Sequence, residues 1–308
     1  MLDVRRMRVL REVAVQGSFS AAAEALSFTQ SAVSQQVAAL ERESGTKLVE
    51  RGARGVRLTD AGHALVAHAD AILARIEAAE EELAAIAGLR GGRLRLGSFQ
   101  SAGATMLPRA VAEFHDRHPA VELGMVEAEP DEASERLRAG EIDLALVYDF
   151  EPLPGMLDEE LELAHLIDDP YDVILPKGHR LAGRRTLRLA DLAEDPWIAS
   201  TPACGCRQIT ERACNDAGFE PRVAFEADET LAAQALVAAG VGVTLLPRLA
   251  LTTLHPGVEA RSLGRDAPMR RIWVASVAGG YLSPASEAMV QILRDVAGEF
   301  AGAELAAA

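Results

Sequence analysis

Aromatic side chains are scarce here: Trp, Tyr and Phe make up 4% of 308 residues, so the 49% apolar fraction rests on Ala, Leu and Val. That composition describes a soluble globular protein, long enough for two or three domains with separate cores. Cysteine is nearly absent. All three residues, Cys204, Cys206 and Cys214, fall within "CGCRQITERAC". An odd and small number excludes an extracellular disulfide framework and points to a reducing cytoplasm. No apolar run reaches the roughly 18–20 residues of a membrane span, and the charged start "LDVRRMRVLREV" is no secretion signal. No G-x-S-x-G, H-E-x-x-H, P-loop or dinucleotide fingerprint occurs, so no enzyme, cofactor or metal is expected. His115 and His118, three apart on a helix, read as solvated last-turn residues rather than metal ligands.

What is present is unevenly spread. Residues 1–58 carry nine Lys/Arg against six Asp/Glu, a net of +3, which leaves −18 for the remainder of a −15 chain. A basic head on an acidic body looks like a polyanion-binding module joined to something else, although charge alone does not separate this from chance. In the head, Met7, Leu10 and Val13/Ala14 recur at helical spacing before Gly17. "SFSAAAEAL" follows with Ser20 as N-cap and Ala23 and Leu26 facing inward. Thr29 then caps a helix with inner stripe Val33, Val37 and Leu40, closing at Gly45. Two short helices around "SFT" have the helix-turn-helix layout, whose second helix enters the major groove. The outer face of that helix carries Gln30, Ser31, Ser34 and Gln35. An ordinary solvated face would carry Lys and Glu, whereas these amides and hydroxyls suit hydrogen bonds to base edges. "KLVERGARGVRLT" reads as a pair of short strands bearing Arg51, Arg54 and Arg57, a wing for phosphates or the minor groove.

Thr59 opens thirty residues without proline, in which Leu65, Ala69, Ile72, Ile76, Ala79, Leu83 and Ile86 step alternately by four and three. This a/d seam predicts a coiled coil, about 45 Å long at ~1.5 Å per residue, with a second copy as partner. "GLRGG" ends it. From Arg93 the pattern alternates strand and helix in two series, predicting two parallel-sheet subdomains with a cleft between them. Ligands in such sheets sit beyond the strands' carboxyl ends, near helix N-termini.

The stretch "FSAAAEALSFTQSAVSQQVAALERESGTKLVERGARGVRLTDAG" resembles the winged helix-turn-helix of LysR-type transcriptional regulators. It departs from the family's frequent Pro at Ser31 and Arg at Gln35, so the operator sequence does not carry over. "GEIDLAL", "LPKGHRLA" and "GVGVTLLP" are similar to the effector domain of the same family. The resemblance implies an α/β chain with three parts: a winged helix-turn-helix over 1–58, a coiled-coil linker helix and hinge over 59–90, and a two-lobed effector domain of the periplasmic-binding-protein (type 2) kind over 91–308. Lobe I would comprise 91–167 plus 265–308 and lobe II 168–264, with crossings near Ile167 and Gly264. It further implies as partners double-stranded DNA, RNA polymerase, a small-molecule effector and further copies of the chain, as homodimer and then homotetramer. By position, the cleft would be lined by Ser98, Phe99, Ser101, Pro130, Tyr148, Ser200, Thr201 and Pro202. Those hydroxyls suit a small carboxylate or another polar metabolite, and with no Lys or Arg placed there the ligand's charge stays open. A solute-binding protein would explain the body but not the head or the heptads.

The cysteines then fall at the cleft mouth. Cys206 and Cys214 lie ~12 Å apart along a helix, too far for a bridge within ~7 Å, and a metal set lacks a fourth ligand. A Cys204–Cys206 bridge would close a tight ring. Two readings stay open: pocket-shaping thiols, or a thiol-based redox sensor in which Cys204 and Cys206 react at a helix N-terminus beside Arg207.

Overall fold

The computed structural model describes residues 1–52, 55–86, 92–150, 160–184, 187–202 and 204–307, without the side chains of 51, 52, 55, 77, 78, 81, 82, 84–86 and 301–307. Local signals build the head. Helix α1 (Val4–Gln16) is capped by Asp3, whose carboxylate accepts from the Arg5 and Arg6 N–H groups, and it ends at Gly17 with φ 62°. Helix α2 (Phe19–Ala25) is capped by the Ser18 hydroxyl, which accepts from Ala21 N–H, and not by Ser20. The left-handed Gly17 delivers the chain straight into an extended Ser18, so the helix starts two residues early. Thr29 caps α3 (Gln30–Ser44) by accepting from Ala32 N–H, and Gly45 closes it at φ 72°. Met7, Leu10, Val13, Ala22, Val33, Val37 and Leu40 are buried together beneath the three helices. The antiparallel pair β1 (Val49–Gly52) and β2 (Gly55–Leu58) forms the wing.

Helix α4 (Asp60–Ile86) continues for 27 residues, and its apolar seam divides. Leu65 and Ala69 are buried in the head's own core, whereas Ile72, Ile76 and Leu83 are exposed. The first turns of the seam therefore fasten the linker to the head. Ion pairing repeats that division, because Arg11 Nε lies 2.6 Å from Asp70 Oδ1. Ile86 falls among the side chains not described.

The body contains two mixed sheets rather than two parallel ones. Strands β3 (Gly92–Ser98), β4 (Val121–Glu127) and β5 (Leu144–Phe150) are mutually parallel with β3 in the middle. The departure comes from β6 (Leu161–Pro176), a 16-residue strand serving both lobes. Its first part runs antiparallel to β11 (Met269–Val277), which pairs β5 on its other edge. Its second part, from Tyr171, pairs antiparallel with β9 (Thr244–Pro247) and β10 (Val258–Ser262). The parallel strands β7 (Trp197–Ala199) and β8 (Val223–Glu226) join that second sheet through a Trp197–Val243 bridge.

Helices cover the sheets as their apolar faces require. Helix α5 (Gln100–Gly103) is one short turn after β3. Against lobe I, α6 (Met106–Arg117) packs with α10 (Pro284–Ala307), burying Met106, Leu107, Phe114, Met289 and Leu293. Helix α7 (Pro130–Arg138) covers the opposite face through Ala133 and Leu137. In lobe II, α8 (Gly205–Asp216) buries Ile209 and Cys214, and α9 (Thr230–Ala238) buries Ala233 and Val237. Each large side chain so buried contributes about 1.5–3 kcal/mol. His115 is exposed and His118 caps α6 with its ring 4.8 Å from that of Phe114. Among the described residues no His/Cys/Asp/Glu group could hold a metal ion, and no helix is long and apolar enough to cross a membrane.

Candidate functional site

Two surfaces carry chemistry. On α3, burial of Val33, Val37 and Leu40 turns the opposite face outward, leaving Gln30, Ser31 and Gln35 exposed and Ser34 half-buried. The Ser31 hydroxyl lies 3.0 Å from that of Thr29, so it also steadies the cap. Part of the head's positive charge is internally used: Arg6 pairs with Glu43 and donates to Gln36, and Lys47 pairs with Glu41. Arg5, Arg8, Arg42 and Arg57 remain exposed. Arg51 lies in β1 opposite Val56, its side chain not described, and Arg54 lies outside the described residues. Gln35→Ala is expected to cost about 1–3 kcal/mol of binding on a matched operator and to relax selectivity at one base pair. Gel-shift titration against operators varied one position at a time reads both effects.

The second surface is the cleft between the lobes, which encloses about 360 Å³. Of the residues singled out from the sequence, Phe99, Ser101, Tyr148, Ser200 and Thr201 line it together with Cys204 and Cys206. Three others do not. Ser98 is buried and donates to the Phe99 carbonyl, Pro130 is buried in the first turn of α7, and Pro202 points to solvent. Being close to a strand end in sequence does not aim a side chain into the cleft.

The most consequential lining group is one that the sequence pattern does not reveal. Arg270, at the start of β11, is 2% exposed. It donates to Asp169 at 2.9 Å and to the Ser101 hydroxyl at 2.6 Å, with its guanidinium 4.9 Å from the Phe99 ring centre and 5.1 Å from that of Tyr148. Burial pushes the Asp169 carboxyl upward against the pull of Arg270, and the Leu249 N–H, 2.9 Å away, also supports its charge. Only the β6 and β11 crossings bring these residues beside Phe99.

The remaining polar groups are largely committed to each other. Asp228 accepts from the Thr201 N–H at 2.8 Å and from its hydroxyl at 2.9 Å. The Thr230 hydroxyl and N–H reach Gln100 of the opposite lobe at 3.2 and 3.4 Å. Tyr148 donates to Glu129 at 2.6 Å. Glu127, Glu129, Asp228 and Glu229 all stand exposed at the mouth. The rim is acidic, and Arg270 is already answered by Asp169.

At the floor lies Cys206. Tyr171 donates to its sulfur at 3.6 Å, and the Tyr148 oxygen lies 3.7 Å from it. A hydrogen bond from Cys204, the Arg270 charge and the Tyr171 hydroxyl overcome burial and bring this thiol down to about 6. Its neighbours move the opposite way: Cys204 is pushed up by its hydrogen bond to Cys206, and Tyr148 and Tyr171 mainly by burial. Cys214, buried in the α8 packing, is pushed up to about 12 by burial. Cys204 is the N-cap residue of α8 and Cys206 its second residue, where the helix dipole favours a thiolate.

A winged helix-turn-helix with an amide-rich outer face, joined by a long helix to a two-lobed α/β domain with a central cleft, defines a DNA-binding regulator carrying a sensory domain. Residues 4–63 match the model of the bacterial regulatory helix-turn-helix protein of the lysR family, and residues 87–298 match the LysR substrate binding domain. The chain belongs to the LysR family of transcriptional regulators. It is 34% identical to the probable HTH-type transcriptional regulator LrrA of Synechococcus elongatus, over 97% of this chain and 98% of that one. It is 37% identical to the HTH-type transcriptional regulator ShiR of Corynebacterium glutamicum, over 79% and 82%. A full-length OxyR variant from Pseudomonas aeruginosa superposes with a TM-score of 0.74 at 24% identity, over 96% and 98%, a likeness of fold.

Proposed function

We infer that this regulator binds a palindromic promoter site as a dimer and responds to a small molecule held between its lobes. The cleft itself carries this reading, because groups from both lobes converge on one cavity. A ligand that fits one lobe arrangement better than another biases the two, and the linker helix passes that bias to the heads. The exposed stripe Ile72, Ile76 and Leu83 offers a second copy an apolar face. Two such dimers would make the tetramer, acting in the cytoplasm beside RNA polymerase, with no catalytic step and no cofactor.

The lining narrows the effector. Asp228 already holds the Thr201 donors, and four carboxylates ring the mouth. A carboxylate ligand would meet repulsion there, so the effector is neutral or cationic rather than the small carboxylate that the hydroxyls alone suggest. The test is a gel shift on DNA from the chain's own upstream region, across salt concentrations, paired with Ile76→Glu. The intact protein should bind with a steep salt dependence, and Ile76→Glu should bind at least about a hundredfold more weakly as it loses bivalency. Equal binding by a monomeric Ile76→Glu, or no salt-dependent shift at all, would sink the reading.

A further inference from the structure

We propose that Cys206 is a peroxide-reactive thiolate whose oxidation ends in a disulfide with Cys204, forming a covalent switch on the floor of the interlobe cleft. This rests on the cleft being the sensory site, and it adds a chemical reaction to it. The geometry is that of an anion site built around sulfur. Tyr171 donates to Cys206 Sγ, Cys204 offers its S–H from the N-cap position, and Arg270 supplies a fixed charge held by Asp169. The groups facing the sulfur come from every element packed around it: Glu129 before α7, Tyr148 on β5, Asp169 and Tyr171 on β6, and Arg270 on β11. A thiol that merely fills space behaves as Cys214 does, pushed upward by burial; Cys206 shifts the other way.

The second thiol sets the class of reaction. A lone nucleophile would suit many electrophiles, but a thiol already hydrogen-bonded to the thiolate is placed to resolve an oxidised sulfur. The acidic rim of Glu127, Glu129, Asp228 and Glu229 disfavours anionic oxidants, so the oxidant is small and uncharged, and hydrogen peroxide fits. The Cys206 thiolate attacks one peroxide oxygen, forming an S–O bond as the O–O bond breaks. The leaving hydroxide takes a proton from solvent and departs as water, and the sulfur has given up two electrons. Cys204 then attacks the sulfenic sulfur, its proton leaves with the departing hydroxyl as a second water, and the S–S bond closes. Only Gly205 separates the two residues, so their Cα atoms can lie within the ~7 Å a disulfide spans, with a glycine to absorb the turn. The small ring is strained, which makes the bond easily reduced and the switch resettable. Closing it removes the thiolate that faces Tyr148 of lobe I at 3.7 Å and takes the charge away from Arg270, so the lobe arrangement it favoured shifts.

The experiment uses the reduced full-length protein. One equivalent of hydrogen peroxide should consume Cys204 and Cys206 together and leave Cys214 free. The Cys204–Cys206 peptide should lose two hydrogens in mass, and dithiothreitol should reverse the change. Iodoacetamide at pH 7 should label Cys206 on the order of a hundredfold faster than Cys214, with a midpoint near that of a strongly acidified thiol. Tyr171→Phe should move that midpoint upward, a change that loose packing alone would not produce. Cys204→Ser should stop at a sulfenic acid trapped by dimedone, and Cys206→Ser should consume no peroxide. Survival of all three thiols, a bridge that includes Cys214, or an unshifted alkylation midpoint near the ordinary ~8.5 would each overturn the proposal. These readouts do not depend on DNA. A protein that oxidises as described but fails to shift its upstream DNA refutes the regulator reading and leaves the thiol chemistry standing.

Discussion

Asp169→Ala is expected to lose about 3–5 kcal/mol of folding stability in the effector domain, more than Arg270→Met loses at neutral pH. Both residues are almost wholly enclosed, at 1% and 2% exposure. Removing the aspartate leaves a guanidinium between the Phe99 and Tyr148 rings with the Ser101 hydroxyl and the nearby Cys206 sulfur as its remaining polar company. Arginine cannot shed its proton in a protein, so that charge stays buried without its carboxylate. Removing Arg270 instead leaves a carboxyl that burial already pushes upward, and it can take a proton and become neutral. The sign of its pH dependence follows. In Arg270→Met the folded-state value of Asp169 stands above its unfolded one, so the protonated fold is favoured at low pH. That stability is lost as pH rises through the raised folded value. Urea unfolding at pH 5 and pH 8 should show the Arg270→Met deficit growing with pH, while the Asp169→Ala deficit stays large at both. Equal deficits with no pH dependence would mean that the pair is not isolated from water.

The same pair shows where reading the sequence stops. In the head, elements are specified by neighbours a few residues apart: Gly17 and Gly45 ending helices, Thr29 starting one, and Val33, Val37 and Leu40 at helical spacing. Even there the cap of α2 went to Ser18 over Ser20, because two serines both satisfy the local rule and only the backbone path out of Gly17 decides. The seam of α4 was visible as a period, but a period does not say which partner it meets. Leu65 and Ala69 turn to the head, and Ile72, Ile76 and Leu83 do not.

In the body, the strands after helices could be read from short apolar runs, whereas Phe99, Ser101, Tyr148, Ser200 and Thr201 came from the family resemblance by position, as did Ser98, Pro130 and Pro202, which do not line the cleft. The length of β6 could not be read, since Pro170 interrupts its pattern midway and its partners β9, β10 and β11 lie far along the chain. Arg270 depends wholly on that strand's pairing. Its contact with Ser101 spans 169 residues, and an Arg-Arg pair opening an apolar strand looks like any edge charge. The aromatic shortage at the outset would have been a usable signal. Two of only three tyrosines, Tyr148 and Tyr171, lie within 3.7 Å of one sulfur.

Gly62→Ala is expected to weaken DNA binding on the order of ten- to a hundredfold and to destabilise the head by about 1–3 kcal/mol. Thr59 joins the start of α4 to the entry of the wing at two points and caps the helix with a third bond. Thr59 N–H donates to the Leu48 carbonyl at 3.0 Å, its hydroxyl donates to the Lys47 carbonyl at 2.7 Å, and Gly62 N–H donates to the Thr59 hydroxyl at 3.0 Å. A Cβ at Gly62 would overlap the Leu48 carbonyl oxygen and come within 3.2 Å of Leu58 Cβ. A backbone oxygen cannot swing aside as a side chain would, so the linker and the wing must separate. The wing then shifts against α3, and phosphate contacts and base reading lose their common register. Gly298→Ala supplies the contrast. It lies exposed on α10 with nothing within 4 Å of an added Cβ, so the same substitution there should raise stability by about 0.5–1 kcal/mol through helix propensity. Thermal unfolding and gel-shift titration of both variants separate the two effects. Opposite signs in stability, with DNA binding lost only in Gly62→Ala, would place the constraint at the junction of linker and wing; matching behaviour in the two would remove it.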